Sequence, residues 1–208
     1  SSMKGMAEVG DRYAAEASKM ASVDTDPVRK QELLEIASIC ARVPRFGATS
    51  FYEAVQSMTL AHICIFMETL GETTCPGRID QFLNPFYEKD VAAGNISRER
   101  AKEILGAFCV KLCETIPMHG EVGTSTLGGL TSWEVVTIGG QDKDGNDATN
   151  ELSFILLELV DELRMRQPNF HVRIHKNTPK AFYDEVIRIN FGPGSAPAMY
   201  NDEIIIES

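Results

Sequence analysis

The sequence lacks any apolar run of 18 residues and any signal peptide, so it offers no segment suited to crossing a membrane or to export. It also lacks an excess of basic residues, since 20 Lys and Arg stand against 30 Asp and Glu and give a formal charge of −10. That balance disfavours nonspecific binding to nucleic acid. We therefore expect a protein of the cytoplasm whose partners are neither membranes nor nucleic acids.

Cysteine is too scarce for a disulfide framework. The five cysteines are odd in number and most lie in apolar helical patterns, so we expect reduced thiols. Cys109 and Cys113 share a predicted helix face, but no second pair at metal spacing accompanies them. The spacing of His171 and His175 suits a metal only on a helix, and both lie in a predicted strand. No metal site is predicted.

Apolar residues make up 43% of the 208 residues, which is enough for a sizeable core in one domain or in part of a larger one. Ser1-Ser2 precede Met3 and are interpreted as a remnant of expression. Residues 3–131 are predicted to be mostly helical. Between residues 51 and 90 we expect a buried helix, a glycine-rich loop and an amphipathic helix. Residues 120–131, rich in Gly, Thr and Ser, are predicted to form a long loop.

Residues 132–208 show a different pattern, in which strands alternate with helices. Strands are predicted at 133–138, 169–175 and 196–200, and helices at 146–166 and 178–190. This order indicates parallel βαβαβ units with right-handed crossovers, so His175 and Asn201 should lie at the same end of the sheet. The residues expected to cover its apolar face are Phe154, Leu157, Val160, Ile187 and Phe191. Ligands gather beyond the carboxyl ends of parallel strands, which makes His175 and Asn201 candidate substrate contacts.

The motif that follows the glycine-rich loop resembles a signature of the glycyl radical enzymes, the superfamily of pyruvate formate-lyase and glycerol dehydratase. It reads Gly77-Arg78-x-Asp80-Gln81-Phe82-x-x-Pro85-Phe86-Tyr87-x-x-Asp90. Four further stretches agree with that family: Phe51-x-Glu53-Ala54-Val55-Gln56, Val136-Thr137-Ile138-Gly139-Gly140, Asp144-Gly145-x-Asp147-Ala148-x-Asn150-Glu151-Leu152-Ser153 and Pro197-Ala198-x-Tyr200-Asn201-Asp202-Glu203. The resemblance implies an α/β fold in which residues 3–208 form part of a ten-stranded barrel, made of two five-stranded parallel halves with the reaction inside.

The same resemblance implies roles for side chains in and after the loop. Glu72 and Thr73 fall where dehydratases of the family place ligands of the substrate hydroxyl groups. Those enzymes often carry His-Ser at the two positions, so Glu-Thr implies a different substrate. From the residues alone, an exposed turn with a local hydrogen bond is the favoured explanation. Arg78 and Asp80 are interpreted as a structural network of charge-assisted hydrogen bonds.

The motifs of radical chemistry are missing from this sequence. Family members need a thiyl-forming cysteine in a Gly-Cys loop and a radical glycine in an Arg-Val-x-Gly context, and none of the five cysteines here follows a glycine. We therefore expect a fragment that has no catalytic residue and no cofactor of its own and is inactive alone. In the whole enzyme, an S-adenosylmethionine-dependent iron-sulfur activase would install the glycyl radical. Whole family members are often homodimeric.

The resemblance favours a lyase that eliminates water or an amine from a small hydroxylated or aminated substrate. Within the superfamily, the alternative is a carbon–carbon lyase, either a formate-forming acyltransferase or a decarboxylase. Outside it, the alternative is a noncatalytic interaction module that keeps the family's shape.

Overall fold

The computed structural model describes residues 2–69, 74–115, 120–127, 134–165, 167–192 and 196–206. The helices are α1 (Ser2–Val23), α2 (Pro27–Arg42), α3 (Phe51–Glu68), α4 (Ile79–Phe82), α5 (Asn84–Ala92), α6 (Arg98–Glu114), α7 (Glu121–Leu127), α8 (Glu151–Leu163), α9 (Lys180–Asn190) and α10 (Asp202–Ile205). The strands are β1 (Val135–Gly139), β2 (Asn169–Ile174) and β3 (Ala198–Asn201). Among the described residues, no helix is both long and apolar enough to cross a membrane.

Short polar side chains accept hydrogen bonds from the free backbone amides at the start of α2, α3 and α6. Asp26 accepts from the Val28 N–H at 2.9 Å ahead of α2, and Ser50 and Ser97 do the same for α3 and α6. Helix α1 then packs closely on α2. A Cβ added at Gly10 would lie 2.8 Å from the carbonyl oxygen of Val43, so the approach of the two segments requires glycine.

The three strands form one parallel sheet in the order β1-β2-β3. Thr137 pairs with His171, which pairs with Ala198, and Ile174 pairs with Asn201. The predicted parallel βαβαβ arrangement is therefore confirmed, and His175 and Asn201 lie at the same end. On the other side of β1, Gly77 donates to the Val135 carbonyl at 3.2 Å, which adds the segment after the glycine-rich loop to the sheet.

One face of the sheet is covered by α8 and α9. Val136, Ile138 and Val172 are fully buried there against the two helices. The buried residues that α8 and α9 contribute include Leu152, Ile155, Leu156, Leu157, Phe182, Val186 and Ile189. Of the predicted covering residues, Leu157 is buried, while Phe154, Val160 and Ile187 are partly buried.

The prediction for Phe191 is wrong, because this side chain is 84% exposed. Helix α9 ends at Asn190, so Phe191 lies beyond the apolar stripe of the helix that faces the sheet.

The prediction of a long loop at residues 120–131 is also wrong in part, because residues 121–127 form the helix α7. Glu121 places a negative charge in its first turn, where the helix dipole favours it. Ser125 and Thr126 donate their hydroxyl groups to the Val122 carbonyl at 2.9 Å, which lets residues of modest helix propensity remain in the helix. Residues 128–133 lie outside the described part of the chain.

Candidate active site

The carboxyl end of β1 is held by two charged side chains from the segment before and within α4. The fully buried Asp80 accepts from the Gly139 N–H at 2.8 Å and from the Ser153 hydroxyl at 2.7 Å. Arg78 donates to the carbonyl oxygens of Gly139 at 2.6 Å and of Gln141 at 2.9 Å. Burial raises the pKa of the Asp80 carboxyl, and these hydrogen bonds oppose the rise.

The carboxyl ends of β2 and β3 are tied to the same loop by a second carboxylate. Asp202, also fully buried, accepts from the Arg173 Nε at 2.6 Å and from the Gln141 N–H at 2.8 Å. Gly140 lies between these groups with a φ of +84°, and an added Cβ would lie 2.7 Å from the Arg173 Cβ. Only glycine fits both the backbone conformation and the space.

We call this set the carboxyl-end network: Arg78, Asp80, Gly139, Gly140, Gln141, Arg173 and Asp202. Its charges are mutually compensated. The pKa of Arg78 is lowered first by burial and then by the nearby charge of Arg173, while Asp80 and Asp202 act in the opposite direction. The network therefore joins all three strand ends into one rigid edge, which is the kind of support that precise ligand contacts need.

His175 lies just past β2 and its ring is fully buried. The ring Nδ1 accepts from the Asn177 N–H at 3.3 Å, so the proton belongs on Nε2, which donates to Asp147 at 3.0 Å. Both ring nitrogens thus have partners within the chain. Asn201, on the neighbouring strand, is exposed and its Oδ1 accepts from the Glu203 N–H at 2.9 Å at the start of α10. The structure brings His175 and Asn201 to the same edge, and only Asn201 faces solvent.

The other two predicted substrate contacts, Glu72 and Thr73, lie outside the described residues. The described chain resumes at Thr74 and joins the sheet at Gly77, directly before Arg78. Arg78 of the carboxyl-end network thus follows Glu72 and Thr73 by five to six positions in the sequence.

The face of the sheet turned away from α8 and α9 carries polar and aromatic side chains. The rings of His171 on β2 and Tyr200 on β3 lie 4.7 Å apart between centroids. Partial burial lowers the pKa of His171, so the imidazole is neutral at physiological pH. A neutral imidazole and a phenol offer hydrogen-bond donors and acceptors without net charge, which suits an uncharged polar molecule. Within the described ranges, no group of three His, Cys, Asp or Glu side chains is arranged to hold a metal ion.

The roles of several residues at this edge of the sheet were not predicted from the sequence. Asp202 is in the motif that begins at Pro197, but nothing in the sequence marks it as the partner of Arg173. Ser153 also lies in one of the family motifs. In addition to its hydrogen bond to Asp80, it forms a capping box with Asn150. Asp147 lies in the same motif as Ser153, but nothing in the sequence marks it as the partner of His175. Long-range pairing of this kind is decided by the fold, which brings residues 28 to 73 positions apart into contact.

A parallel α/β sheet with helices on one face, a polar opposite face and a braced carboxyl end is the layout of part of an α/β-barrel enzyme. The chain belongs to the pyruvate formate lyase-like family, whose model matches residues 1–208. It is 37% identical over 205 residues to trans-4-hydroxy-L-proline dehydratase of Clostridioides difficile, covering 97% of this chain and 26% of that protein. It is 40% identical over 195 residues to isethionate sulfite-lyase of Bilophila wadsworthia, covering 92% and 23%.

Solved structures agree with the sequence relatives. The glycerol-bound form of the B12-independent glycerol dehydratase from Clostridium butyricum superposes with a TM-score of 0.93 at 36% identity, over 97% of this chain and 25% of that one. A glycyl radical enzyme from Archaeoglobus fulgidus gives 0.92 at 38% identity, over 96% and 26%. The resemblance to glycyl radical enzymes and the assignment to part of their barrel are confirmed. The chain spans about a quarter of the length of these relatives.

Proposed function

We propose that this chain is the part of a glycyl radical lyase that contributes substrate contacts for the elimination of water or an amine from a small hydroxylated or aminated molecule. The observation that carries the proposal is the similarity, along 97% of the chain, to a hydroxyproline dehydratase and to a glycerol-bound glycerol dehydratase. The names of these relatives give a small hydroxylated molecule as the substrate. The carboxyl-end network supports the proposal, because it fixes Arg78 and Asp80, which follow Glu72 and Thr73 closely in the sequence.

The proposed contacts follow from the chemistry of the side chains. The Glu72 carboxylate accepts hydrogen bonds from a substrate hydroxyl or ammonium group, and the Thr73 hydroxyl donates or accepts at a neighbouring oxygen. The exposed amide of Asn201 adds a donor at the carboxyl edge. His175 was predicted to bind substrate directly, and that would require the exchange of one of its present partners. We propose instead that His175 positions Asp147 and the turn at residues 142–150.

In the whole enzyme, a glycyl radical installed by an S-adenosylmethionine-dependent iron-sulfur activase would supply hydrogen-atom abstraction through a cysteine thiyl, with a neighbouring carboxylate as acid/base. This chain's residues hold the substrate while the hydroxyl or amino group departs with a proton, so that the net change is the loss of water or of an amine. Arg78 and Asp80 act as structural supports. The proposed setting is the cytoplasm, with the activase and the small substrate as partners and a homodimer as the assembly.

A second candidate is favoured by a specific observation. The sulfite-lyase relative shows 40% identity, as high as any relative named above, so carbon–sulfur cleavage is an alternative to dehydration. A carbon–carbon lyase has weaker support, since an indoleacetate decarboxylase of Tractidigestivibacter scatoligenes is 29% identical over 198 residues. A noncatalytic module with the family's shape is the remaining alternative.

The test uses the polypeptide encoded by the complete reading frame, activated without oxygen. It is incubated separately with glycerol, 1,2-propanediol, trans-4-hydroxy-L-proline, an amino alcohol and isethionate, and products are identified by mass spectrometry. We expect a glycyl radical signal and loss of water or of an amine from at least one substrate. Sulfite release alone would favour the second candidate, and a complete lack of radical would favour the module. The 208-residue chain by itself should show neither radical nor turnover.

A further inference from the structure

Arg173 is the only charged residue in the three strands, all of which are described. Its side chain lies on the face of the sheet turned away from α8 and α9, because the neighbouring Val172 is buried in the core on the opposite face. The residues in register with Arg173 are Gly139 on β1 and Tyr200 on β3. A molecule bound on this face at the carboxyl end therefore meets a guanidinium between a glycine and a phenol ring.

The side chain of Arg173 is held at its base and is free at its far end. Its Nε donates to the Asp202 carboxylate at 2.6 Å, and its Cβ lies over Gly140, where an added methyl carbon would come within 2.7 Å. The two terminal nitrogens have no hydrogen-bond partner among the described residues, and 21% of the side chain is exposed. Because the Cβ and the Nε are covered, that exposed area lies toward the free end. Two N–H donors are thus held in one orientation and remain open to a ligand.

The other charged groups of the carboxyl-end network are already engaged. Asp80 and Asp202 are fully buried, and each accepts from a backbone N–H. Both terminal nitrogens of Arg78 donate to backbone carbonyls. The pKa of Arg78 is lowered first by burial and then by the charge of Arg173, so the two guanidinium groups lie close enough to repel each other. An anion bound at the free end of Arg173 would offset that repulsion.

We propose that the terminal nitrogens of Arg173 bind a carboxylate of the substrate, so that the substrate class is a small hydroxy acid or amino acid. A guanidinium fork and a carboxylate are both planar, and two parallel N–H···O bonds between them fix the position and the angle of the bound group. The rings of His171 and Tyr200, 4.7 Å apart on the same face, are then available to the uncharged polar part of the same molecule. The inference rests on the proposed function, because it names the substrate of that same site.

The test measures binding to the complete protein before activation, so that it does not depend on radical formation. Saturation-transfer difference NMR compares lactate with lactamide, and trans-4-hydroxy-L-proline with its carboxamide. Within each pair, only the carboxylate is replaced. Isethionate is included as a sulfonate probe. We expect at least one acid to bind about tenfold or more tightly than its amide.

Equal binding of acid and amide in both pairs would overturn the proposal. Binding of isethionate alone, or a lack of saturable binding by both acids up to their solubility limits, would overturn it as well. Arg173→Gln removes the charge and keeps hydrogen-bond donors. We expect it to lower the affinity for the acid to that for the amide, while the affinity for the amide changes little.

A second pair of variants leaves the contact between Arg173 and Asp202 intact, in case Arg173→Gln does not fold. Tyr200 is 39% exposed on β3 and is in register with Arg173, so the carboxylate of Tyr200→Glu would compete for the free terminal nitrogens. Tyr200→Gln is the matched control, since it has the same size without the charge. We expect Tyr200→Glu to bind the acid about tenfold less tightly than Tyr200→Gln does. Equal affinities of the two variants would contradict the proposal.

Failure of the carboxylate site and failure of the lyase function give different results. Binding of an acid that depends on Arg173, in a protein that forms no glycyl radical on activation, would support the carboxylate site and contradict the lyase function. Dehydration of glycerol by a protein that does not distinguish acids from amides would support the lyase function and overturn the carboxylate site.

Discussion

The two ends of the sheet differ in how their buried polar groups are paired. At the carboxyl end, both oxygens of the buried Asp202 have partners from the chain, namely Arg173 and the Gln141 N–H. At the amino end, the Glu134 Oε1 accepts from Thr115 at 3.0 Å and lies 2.8 Å from the His62 ring, while its Oε2 has no partner among the described residues. Gln167 at that end has none for either atom. Some buried atoms at the carboxyl end also lack partners among the described residues, namely Asp80 Oδ1 and Arg78 Nε. The carboxyl end differs in that charged side chains join its three strand ends.

This difference bears on where function resides. A site that must hold a substrate in one geometry benefits from supports that are already satisfied, because their side chains then have one low-energy arrangement. A buried polar group without a partner instead favours binding. A ligand that supplies the missing hydrogen bond removes the free-energy cost of leaving that group unsatisfied.

The largest effect is expected for Gly140→Ala. The added Cβ would lie 2.7 Å from the Arg173 Cβ and 2.9 Å from the Asp202 Oδ2, at a φ of +84°. We expect the free energy of unfolding to fall by about 4 kcal/mol, measured by urea denaturation. Gly145→Ala is the matched control, because its φ is +81° and nothing lies within 4 Å of the added Cβ. It should lose only about 1 kcal/mol. Equal losses would mean that crowding in the network is unimportant.

A somewhat smaller effect is expected for Asp202→Asn. The amide nitrogen would face either the Arg173 Nε or the Gln141 N–H, so that two donors meet in a buried place. Breaking such a pair should lower the free energy of unfolding by about 3 kcal/mol. The control is Asp184→Asn, whose ion pair with Lys180 is exposed and should contribute less than about 0.5 kcal/mol. A loss below about 1 kcal/mol for Asp202→Asn would show that the three strand ends are held by other contacts.

The raised pKa of Asp80 predicts that the free energy of unfolding depends on pH in a defined direction. Burial raises the pKa of its carboxyl above the ordinary value of 3.8, so the folded chain binds this proton more tightly than the unfolded chain does. The contribution of Asp80 to stability is therefore fully present when the pH lies below the ordinary pKa. It is lost as the pH rises through the raised pKa. The free energy of unfolding of the wild type minus that of Asp80→Asn should be larger at pH 4 than at pH 7. A difference that grows with pH would contradict the burial effect.

The smallest perturbation is chemical modification, which compares the reactivities of the Cys109 and Cys113 thiols on α6. Burial in the hydrophobic core raises the pKa of Cys109 to about 12, whereas Cys113 is exposed. Because the thiolate is the reactive form, Ellman's reagent at pH 8 should modify Cys113 at least about 100-fold faster than Cys109. Because Cys75 is exposed as well, the modified thiols are assigned by mass spectrometry of peptides, and Cys113→Ser removes only the Cys113 signal. Rapid modification of Cys109 in the folded chain would mean that the core around α6 opens to solvent.

The sequence predicts the parts of the structure that depend on local pattern. Asp26 and Pro27 mark the start of α2, and the alternation of strands with helices predicts the parallel sheet. It also predicts that His175 and Asn201 share one end, because parallel strands with crossover helices allow no other placement. Phe191 shows the limit of this reasoning. Its apolar character fits a helix stripe, but the helix ends one residue earlier, and the side chain is left exposed.

The candidate site was less predictable because its contacts are long-range. The alternation in β2 places His171, Arg173 and His175 on one face, but it does not reveal that Asp202 pairs with Arg173 or that Asp147 pairs with His175. Those pairs form only when loops from different βα units meet at the sheet edge. The free amide of Gln167 gave no signal in the sequence at all, since a glutamine is ordinarily solvated or hydrogen-bonded.

The central claim is that Glu72 contacts the substrate of a radical lyase. The direct measurement uses the activated complete protein with Glu72→Gln, and records the glycyl radical by electron paramagnetic resonance together with turnover of the substrate found in the screen. Gln31→Ala, at an exposed position of α2, is the control. We predict a radical signal equal to that of the wild type and a turnover reduced about 100-fold or more. An equal radical signal with unchanged turnover would contradict the claim.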